Sequence, residues 1–267
     1  MSKKNICAPG NSYNYTCFNM NSLKKIAGKL NKDSRFGSYK DINTKKYNKK
    51  NKKKFVKEIQ RKLNCKKHLD FCVIEKKAEF YNEIKNTLKP KAPNGKYEWL
   101  STLDIRDVME QYEKKYKDFN FIGPYPMDFE MIYEELANLN LKQLCKKEKK
   151  IGIVFNTDIS TGPGEHWISM FLDLKNRTLC FFDSVGDKPP MPVWRLMKKI
   201  EKQSKQMKCP IKIVVNKKQF QYKDSECGVY SLWFLISRLR GKSCDFLFKN
   251  PISDAKMNKN RKKFFRK

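Results

Sequence analysis

The sequence predicts an α+β fold, and three patterns lead to that prediction. Before residue 90, apolar residues recur at three- and four-residue spacing, which is typical of amphipathic helices. Between residues 151 and 215, short β-branched and apolar runs alternate with turn residues, which is typical of strands. From Cys227 to Leu239 helical spacing returns in a strongly apolar segment. Helices are therefore expected at both ends of the chain, with strands between them.

Residues 1–92 are predicted to form a small, Lys-rich helical accessory domain. Apolar side chains share one side of a short helix from Leu23 to Leu30, and the spacing returns from Phe55 to Leu63. A longer amphipathic helix is predicted from Ile74 to Leu88, with Tyr81 on its apolar face. The expected task of this domain is to help dock a substrate or to shield the second domain.

Two segments in this part of the chain have no apolar periodicity. Residues 45–54 are almost entirely Lys and Asn, which fits either a solvated loop or an arm that binds polyanions. Residues 90–95 have the sequence Pro-Lys-Ala-Pro-Asn-Gly, which is typical of a linker. The domain boundary is therefore predicted between residues 92 and 93.

Residues 93–267 are predicted to form the second, larger domain. Residues 116–126 are aromatic and turn-rich, and the tail from Ser253 is basic, with Phe264 and Phe265 expected to pack back. The predicted helices are a segment capped by Ser101, then 129–144, 193–207 and 227–239, and the predicted strands are 151–155, 167–174, 177–183 and 211–215.

Cys227 begins the apolar helix and is the candidate nucleophile of this domain. A thiol attacks as its thiolate, which needs a neighbouring imidazole, a positive field, or both. A helix N-terminus is electropositive and presents free amides, so it favours a thiolate and can also bind an oxyanion. The alternative is an inert core thiol, a common role for cysteines on apolar helices.

His166 is the candidate partner of Cys227, because the other histidine, His68, lies far upstream in a Lys-rich segment. The strands on either side of Lys175 and Asn176 predict a hairpin. If Leu174 pairs with Arg177, His166 and Asp183 lie on one face as diagonal neighbours, about 7 Å apart at the backbone. Asp183 would then orient the imidazole and stabilise its charged form. A three-residue turn would change the register and remove this contact.

Gln221 lies six residues before Cys227 and is the candidate oxyanion donor. Its side-chain amide could act beside the backbone N–H of Cys227 on a tetrahedral intermediate. Together with His166 and Asp183, these residues have the parts that a cysteine peptidase requires.

The order His166, Asp183, Gln221, Cys227, with the motifs H-W, F-D-S and E-C-G-V-Y, resembles a known family. It comprises the peptidases that mature and remove ubiquitin-like proteins such as SUMO, and viral relatives including the adenovirus endopeptidase. The loop N-T-D-I-S-T-G-P-G-E-H-W and the run S-E-C-G-V-Y-S-L are most similar to the African swine fever virus branch. The resemblance implies a papain-like or adenain-like core, in which a central mixed sheet is flanked by helices.

The resemblance also assigns further roles and shows two departures. Asp183 agrees with the cellular branch, whereas the asfivirus relatives have asparagine there, and Asp224 lies where they have another glutamine, nearer the cysteine than Gln221. Trp167 matches the family tryptophan that narrows the cleft so that only glycine passes, with a core role as the alternative. Trp99 could wall a substrate groove, with a hydrophobic staple before the helix as the alternative.

Charge and cysteine content limit the classes of partner and cofactor. The chain has 59 Lys and Arg against 28 acidic residues, a net charge of +31. A positive charge of this size favours salt-sensitive contact with nucleic acid, although lysine-rich solvated surfaces would give the same charge. The nine cysteines are odd in number and irregularly spaced, so free thiols are expected, and Cys65, His68 and Cys72 lack a paired zinc-knuckle spacing. We expect no cofactor and no metal site.

Three functions remain open, two of them enzymatic and the third from a different class. The first is a cysteine endopeptidase that cuts viral structural polyproteins at Gly-Gly-X sites during virion maturation. The second is a deconjugase of SUMO or ubiquitin-like proteins, and the third is a nucleic-acid-binding virion protein with an inactive peptidase fold. The N-terminus lacks the apolar core of a signal peptide and no apolar run is long enough to span a membrane. The protein is therefore expected to be made in a cytosolic compartment, and the resemblance to viral peptidases implies the virion and the host cytoplasm, including the viral factory, as its location.

Overall fold

The computed structural model describes residues 6–11, 13–36, 39–95, 98–144, 146 and 149–267. Backbone contacts divide the chain into two compact units, Met1–Lys91 with Phe265–Lys267, and Ala92–Phe264. The last three residues thus group with the first unit, although the sequence predicted them in the second domain. That residues 1–92 and 93–267 are separate domains stays a prediction.

The first unit is helical, as predicted. Its core contains Phe18, Phe55 and Phe80, which are all buried, and the ring of Tyr47 stacks on Phe55 at 4.4 Å between centroids. These contacts bury the apolar stripes that the spacing indicated. The α-helices are Met20–Lys32 (α1), Lys52–Lys62 (α2), Leu69–Glu75 (α3) and Lys77–Thr87 (α4), with 3-10 turns at Ser34–Phe36 and Thr44–Lys46.

The long helix predicted from Ile74 to Leu88 was wrong, because the structure has a break between α3 and α4. Lys76 lies between them with φ −101° and ψ 42°, outside the helical region. Ile84 and Leu88 are buried as predicted, but Tyr81 is 51% exposed. A kink changes the direction of each helical face, so spacing counted across it does not place residues on one side.

The second unit is built on a five-stranded mixed sheet, which confirms the predicted α+β fold. The strands lie in chain order, with the β1–β2 and β4–β5 pairs parallel and the two pairs between them antiparallel. Every residue of β3 is buried, so both faces at the centre of the sheet are covered. The strands are Phe119–Tyr125 (β1), Lys150–Asn156 (β2), Trp167–Asp173 (β3), Thr178–Phe182 (β4) and Lys212–Val215 (β5).

Helices cover the two faces of this sheet. Phe234 stacks on Phe182 with 5.0 Å between ring centroids, which joins the predicted apolar helix to one face. Met170 and Met197 belong to the cluster on the other face. The helices are Thr102–Lys115 (α5), Phe129–Ile132 (α6), Glu134–Ala137 (α7), Leu141–Leu144 (α8), Met191–Gln206 (α9), Cys227–Leu239 (α10), Cys244–Lys249 (α11) and Asp254–Phe264 (α12).

Three segments of the second unit differ from the prediction. Residues 116–126 were described as aromatic and turn-rich, with no strand predicted, but they contain the edge strand β1. Pro124 is tolerated there because one side of an edge strand needs no hydrogen-bond partner. Residues 129–144 form three short helices instead of one, with breaks after Ile132 and Ala137. The basic tail, for which no helix was predicted, forms α12, and Phe264 and Phe265 are buried as expected.

The expectation of free thiols was wrong for six cysteines. Disulfides join Cys7 to Cys17, Cys65 to Cys72 and Cys180 to Cys244. Cys65 and Cys72 bracket His68, so the pair that resembled metal ligands is a cystine. Irregular spacing gave no hint of these pairs because each depends on where the backbone folds back. In the described part of the chain, Cys209 and Cys227 are the free thiols.

No helix in the described ranges is long and apolar enough to cross a bilayer. The same residues contain no group of three or more His, Cys, Asp or Glu side chains arranged to hold a metal ion.

Candidate active site

Cys227 is the first residue of α10, as the spacing predicted. Cys227 is 2% exposed, and its sulfur is in no disulfide. The preceding residue, Glu226, occupies the N-cap but its side chain makes no capping hydrogen bond. The amides of the first turn are therefore not capped by that side chain and point toward the region of the sulfur. This position suits a thiolate and a bound oxyanion.

The predicted hairpin register is confirmed and brings His166 to Asp183. Asp173 pairs with Thr178 and Ser169 with Phe182, and the same register sets Ile168 opposite Asp183. His166 Nε2 lies 2.7 Å from Asp183 Oδ1. Because Nε2 is engaged by the carboxylate, Nδ1 is the ring nitrogen that remains for exchange of a proton with Cys227.

His166 is held in its charged form by its two neighbours. Burial lowers the pKa of His166, but hydrogen bonds to Asp183 and Cys227, together with their negative charges, raise the pKa from 6.5 to about 10. The Cys227 side chain is thus close enough to His166 to contribute to the shift. An imidazolium at neutral pH in turn favours a neighbouring thiolate.

Gln221 is buried and its side chain is fixed at both ends. Its Oε1 accepts a hydrogen bond from Ser184 Oγ at 2.8 Å, and its Nε2 donates to the backbone carbonyl of Lys223. An amide NH2 has two hydrogens, so one remains for an oxyanion. Asp224, the alternative position that the resemblance raised, is exposed. The structure therefore favours Gln221 of the two, although its role stays a prediction.

Ser184 and Asn216 position these side chains, and the sequence assigned neither of them a role. The carbonyl of Ser184 accepts from the backbone N–H groups of Phe220 and Gln221 at 2.7 and 2.8 Å. Asn216 is fully buried, and its Nδ2 donates to the carbonyl of Asp183 and to that of Lys218, each at 2.8 Å. The F-D-S motif contained Ser184, but no local pattern distinguished Asn216 from an ordinary turn residue.

The loop between β2 and β3 delivers His166 and is closed at its base by side chains. Asn156 Oδ1 accepts from the backbone N–H groups of Asp158 and Glu165, each at 3.0 Å. Asp158 Oδ2 accepts from Gly164 N–H at 2.9 Å, where φ is +91°. An Asn or Asp that bonds the backbone two residues later is a common turn anchor, so this signal was present in the sequence. The anchors fix the residue that precedes β3.

Trp167 and Trp99 have different environments. Trp167 is 5% exposed, and its indole N–H donates to the carbonyl of Leu100 at 2.8 Å. Trp99 is 46% exposed, while its neighbour Leu100 is buried. The packing role considered for Trp167 therefore fits its burial, and the two substrate-binding roles stay predictions.

Comparison with known proteins agrees with this geometry. Residues 100–267 match the Ulp1 protease family, C-terminal catalytic domain. The chain is 33% identical over 292 residues to the putative thiol protease R355 of Acanthamoeba polyphaga mimivirus, covering 98% of this chain and 93% of the relative. It is 29% identical over 210 residues to the cysteine protease S273R of an African swine fever virus isolate, covering 72% and 77% of the two chains. The crystal structure of the African swine fever virus pS273R protease shares the fold, with a TM-score of 0.70 at 22% identity over 98% of this chain and 95% of that one.

Fold, family match and site lead to one class of chemistry. A thiol at a helix N-terminus, an imidazolium beside it and a carboxylate that orients the imidazole are the parts of thiol-dependent acyl transfer. They leave the alternative of an inactive peptidase fold without support. The chain belongs to the Ulp1 protease family and is a cysteine peptidase.

Proposed function

We propose that this peptidase is an endopeptidase that cleaves after Gly-Gly-type sites in viral structural polyproteins during virion maturation. The observation that carries the proposal is the ion pair of His166 and Asp183 beside the helix-terminal Cys227. Similarity to thiol and cysteine proteases of two viruses supports the viral setting. The corresponding location is the virion and the host cytoplasm, including the viral factory.

The reaction proceeds through a thioester. The Cys227 sulfur attacks the scissile carbonyl carbon, and the backbone N–H of Cys227 and the Gln221 amide stabilise the oxyanion. His166 gives its proton to the leaving amine as the C–N bond breaks. A water molecule then gives a proton to His166 and attacks the thioester, so that the acid product leaves and the thiolate–imidazolium pair is restored.

Selectivity for glycine before the scissile bond is assigned to a narrow cleft beside His166. Trp167 follows the histidine directly, and its indole is held in place by the carbonyl of Leu100. A fixed aromatic ring at that point excludes larger side chains from an extended substrate. Exposed Trp99, one residue before Leu100, is the candidate wall of the groove.

A thiol-reactive glycyl-glycine probe tests the enzyme site. We expect covalent labelling of the intact protein, located by mass spectrometry at Cys227, and no labelling of Cys227→Ser. The matched control is Cys209→Ser, which removes the exposed free thiol and should label as the parent does. Labelling that survives Cys227→Ser but disappears in Cys209→Ser would contradict the assignment.

A deconjugase that acts on SUMO-like proteins is the second candidate. Two observations favour it: some African swine fever virus relatives carry the name SUMO-1 cysteine protease, and Asp183 matches the cellular branch of the family. Incubation with purified SUMO precursors and with Gly-Gly-X peptides separates the two functions. Cleavage of the peptides without the precursors supports polyprotein maturation, whereas efficient cleavage of SUMO precursors would support the deconjugase.

A sequence-independent contact with nucleic acid is part of the proposal. It is supported by the net charge of +31. A protein that neutralises Z phosphates of duplex DNA loses affinity with a log–log salt slope of about −0.9Z. We expect binding to unrelated duplexes with equal affinity and a steep salt slope, measured by fluorescence anisotropy. Absence of binding at about 50 mM salt, where contacts to phosphate are strong, would rule out nucleic acid as a partner.

A further inference from the structure

The C-terminal helix α12 holds the segment that leads into Cys227 at two points. Asp254, its first residue, accepts a hydrogen bond through Oδ2 from the backbone N–H of Tyr222 at 2.9 Å. Arg261 donates from Nη2 to the carbonyl of Ser225 at 2.7 Å. Residues seven apart lie on the same face of a helix, so both contacts come from one face of α12. Ser225 is two residues before the nucleophile.

Arg261 is buried, although its side chain makes a single hydrogen bond among the described residues. Its residue is 9% exposed, and its Nε and Nη1 have no hydrogen-bond partner among the described residues. Glu226, the residue between Ser225 and Cys227, is 1% exposed. Its Oε2 likewise has no hydrogen-bond partner among the described residues. Burial of a charged group whose hydrogen bonds are incomplete destabilises the folded protein.

The two buried charges and the nucleophile act on one another. Burial lowers the pKa of Arg261, and the negative charges of Glu226 and Cys227, followed by those of Asp104 and Glu98, offset this only in part. Attraction between opposite charges is mutual, so Arg261 is the buried cation that Glu226 and Cys227 act on.

We propose that Arg261 is a positioning residue for the nucleophile, which holds the Ser225–Cys227 backbone and supplies a buried positive charge behind it. The inference rests on the proposed role of Cys227 and adds to it a residue 34 positions further along the chain. By fixing the Ser225 carbonyl, Arg261 fixes the orientation of the peptide groups that follow it. One of those groups carries the Cys227 N–H, which is the backbone donor to the oxyanion. A misplacement of about 1 Å at such a site can cost about 100-fold in rate.

Four variants test the proposal: Arg261→Met, Arg261→Lys, Glu226→Gln and the Arg261→Met/Glu226→Gln pair. Each is measured for its maximal rate of labelling and half-saturating concentration with the glycyl-glycine probe, and for its thermal midpoint. Arg261→Met should lower the maximal rate about 10- to 100-fold with little change in the half-saturating concentration. Arg261→Lys should recover part of the rate, because its ammonium can still donate to Ser225.

The double variant separates positioning from stability. Removing both charges should restore the thermal midpoint toward that of the parent, since no unpaired buried charge remains. The labelling rate should stay low, because the Ser225 carbonyl has still lost its donor. A labelling rate that returns together with the midpoint would overturn the proposal, as would a parental rate in Arg261→Met.

A matched control uses Arg238, another buried arginine of the same unit, which lies near the opposite end of α10 and donates to the carbonyl of Lys242. Arg238→Met should lower the thermal midpoint without a selective loss of labelling rate. Alkylation of Cys227 by iodoacetamide, followed by mass spectrometry of its peptide, needs no peptide-like ligand. Slower alkylation in Arg261→Met would support the proposal even if the glycyl-glycine probe failed on the parent, and equal alkylation would contradict it.

Discussion

At the scale of single residues, the charge state of His166 governs how the site responds to pH. Its pKa in the folded protein is about 10, above the ordinary 6.5 of an unfolded chain. A pKa raised on folding contributes stability that is fully present below pH 6.5 and is lost as the pH rises through 10. The imidazolium that favours the thiolate is likewise retained through neutral pH and is lost on the alkaline side.

An NMR titration of the imidazole signals checks this directly, because the chain has two histidines and His68→Gln identifies the signal of the other. We expect His166 to remain protonated well above pH 7 and the labelling rate to fall only at alkaline pH. In Asp183→Asn the carboxylate charge is gone, so the pKa of His166 should fall toward its ordinary value and the labelling rate should drop. Titration of the parent His166 near 6.5 would contradict the charged pair.

At the scale of elements, the first turn of α10 is packed against the residues that precede α5. A Cβ added to Gly228 would lie 3.0 Å from Leu100 Cβ and 3.2 Å from its Cγ and Cδ1. Leu100 is buried, and its carbonyl holds the indole of Trp167. Glycine is thus needed at this point for close approach and not for its backbone freedom.

Gly228→Ala should therefore have two opposite effects on the free energy of unfolding. Alanine is favoured over glycine in a helix by about 0.5–1 kcal/mol, whereas overpacking a tight core costs about 1–3 kcal/mol. We expect a net loss of stability of about 1 kcal/mol and slower labelling of Cys227, measured by denaturant unfolding and by the probe. Gly28→Ala in α1 is the matched control, because nothing lies within 4 Å of its added Cβ, and it should be neutral or stabilising. A stabilised, fully active Gly228→Ala would disprove the packing argument.

Elements also show where local patterns stop being informative. The register of the β3–β4 hairpin followed from its two-residue turn and its alternation, which act between near neighbours. The strand β1 was missed because Gly123 and Pro124 are turn residues by composition. Its strand conformation comes from pairing with β2, which lies about thirty residues further along the chain.

At the scale of the whole molecule, the disulfides add covalent cross-links that stabilise the folded state. The Cys180–Cys244 bond joins β4 to α11 across 64 residues of sequence. By the loop-entropy relation, a cross-link of that span stabilises the folded state by about 4 kcal/mol. The other two cystines close spans of 10 and 7 residues, for which the same relation gives a smaller effect.

Cys244→Ser should therefore lower the free energy of unfolding by up to about 4 kcal/mol under oxidising conditions. Denaturant unfolding with and without dithiothreitol measures it, and the reductant should remove the difference between variant and parent. Cys209→Ser should unfold as the parent does, because Cys209 is exposed and in no disulfide. Equal stability of Cys244→Ser and the oxidised parent would show that the bond contributes little.

Spacing and local geometry were enough to predict several parts of the site from the amino-acid sequence. The apolar repeat placed Cys227 at the start of a helix, and the hairpin register placed His166 across from Asp183. The contacts between distant segments became known only from the folded chain: Ser184 with Gln221, Arg261 with Ser225, and the disulfide partners. The physical reason is that periodicity records which side of an element is apolar, whereas a polar group or a thiol finds its partner only when two segments meet in space.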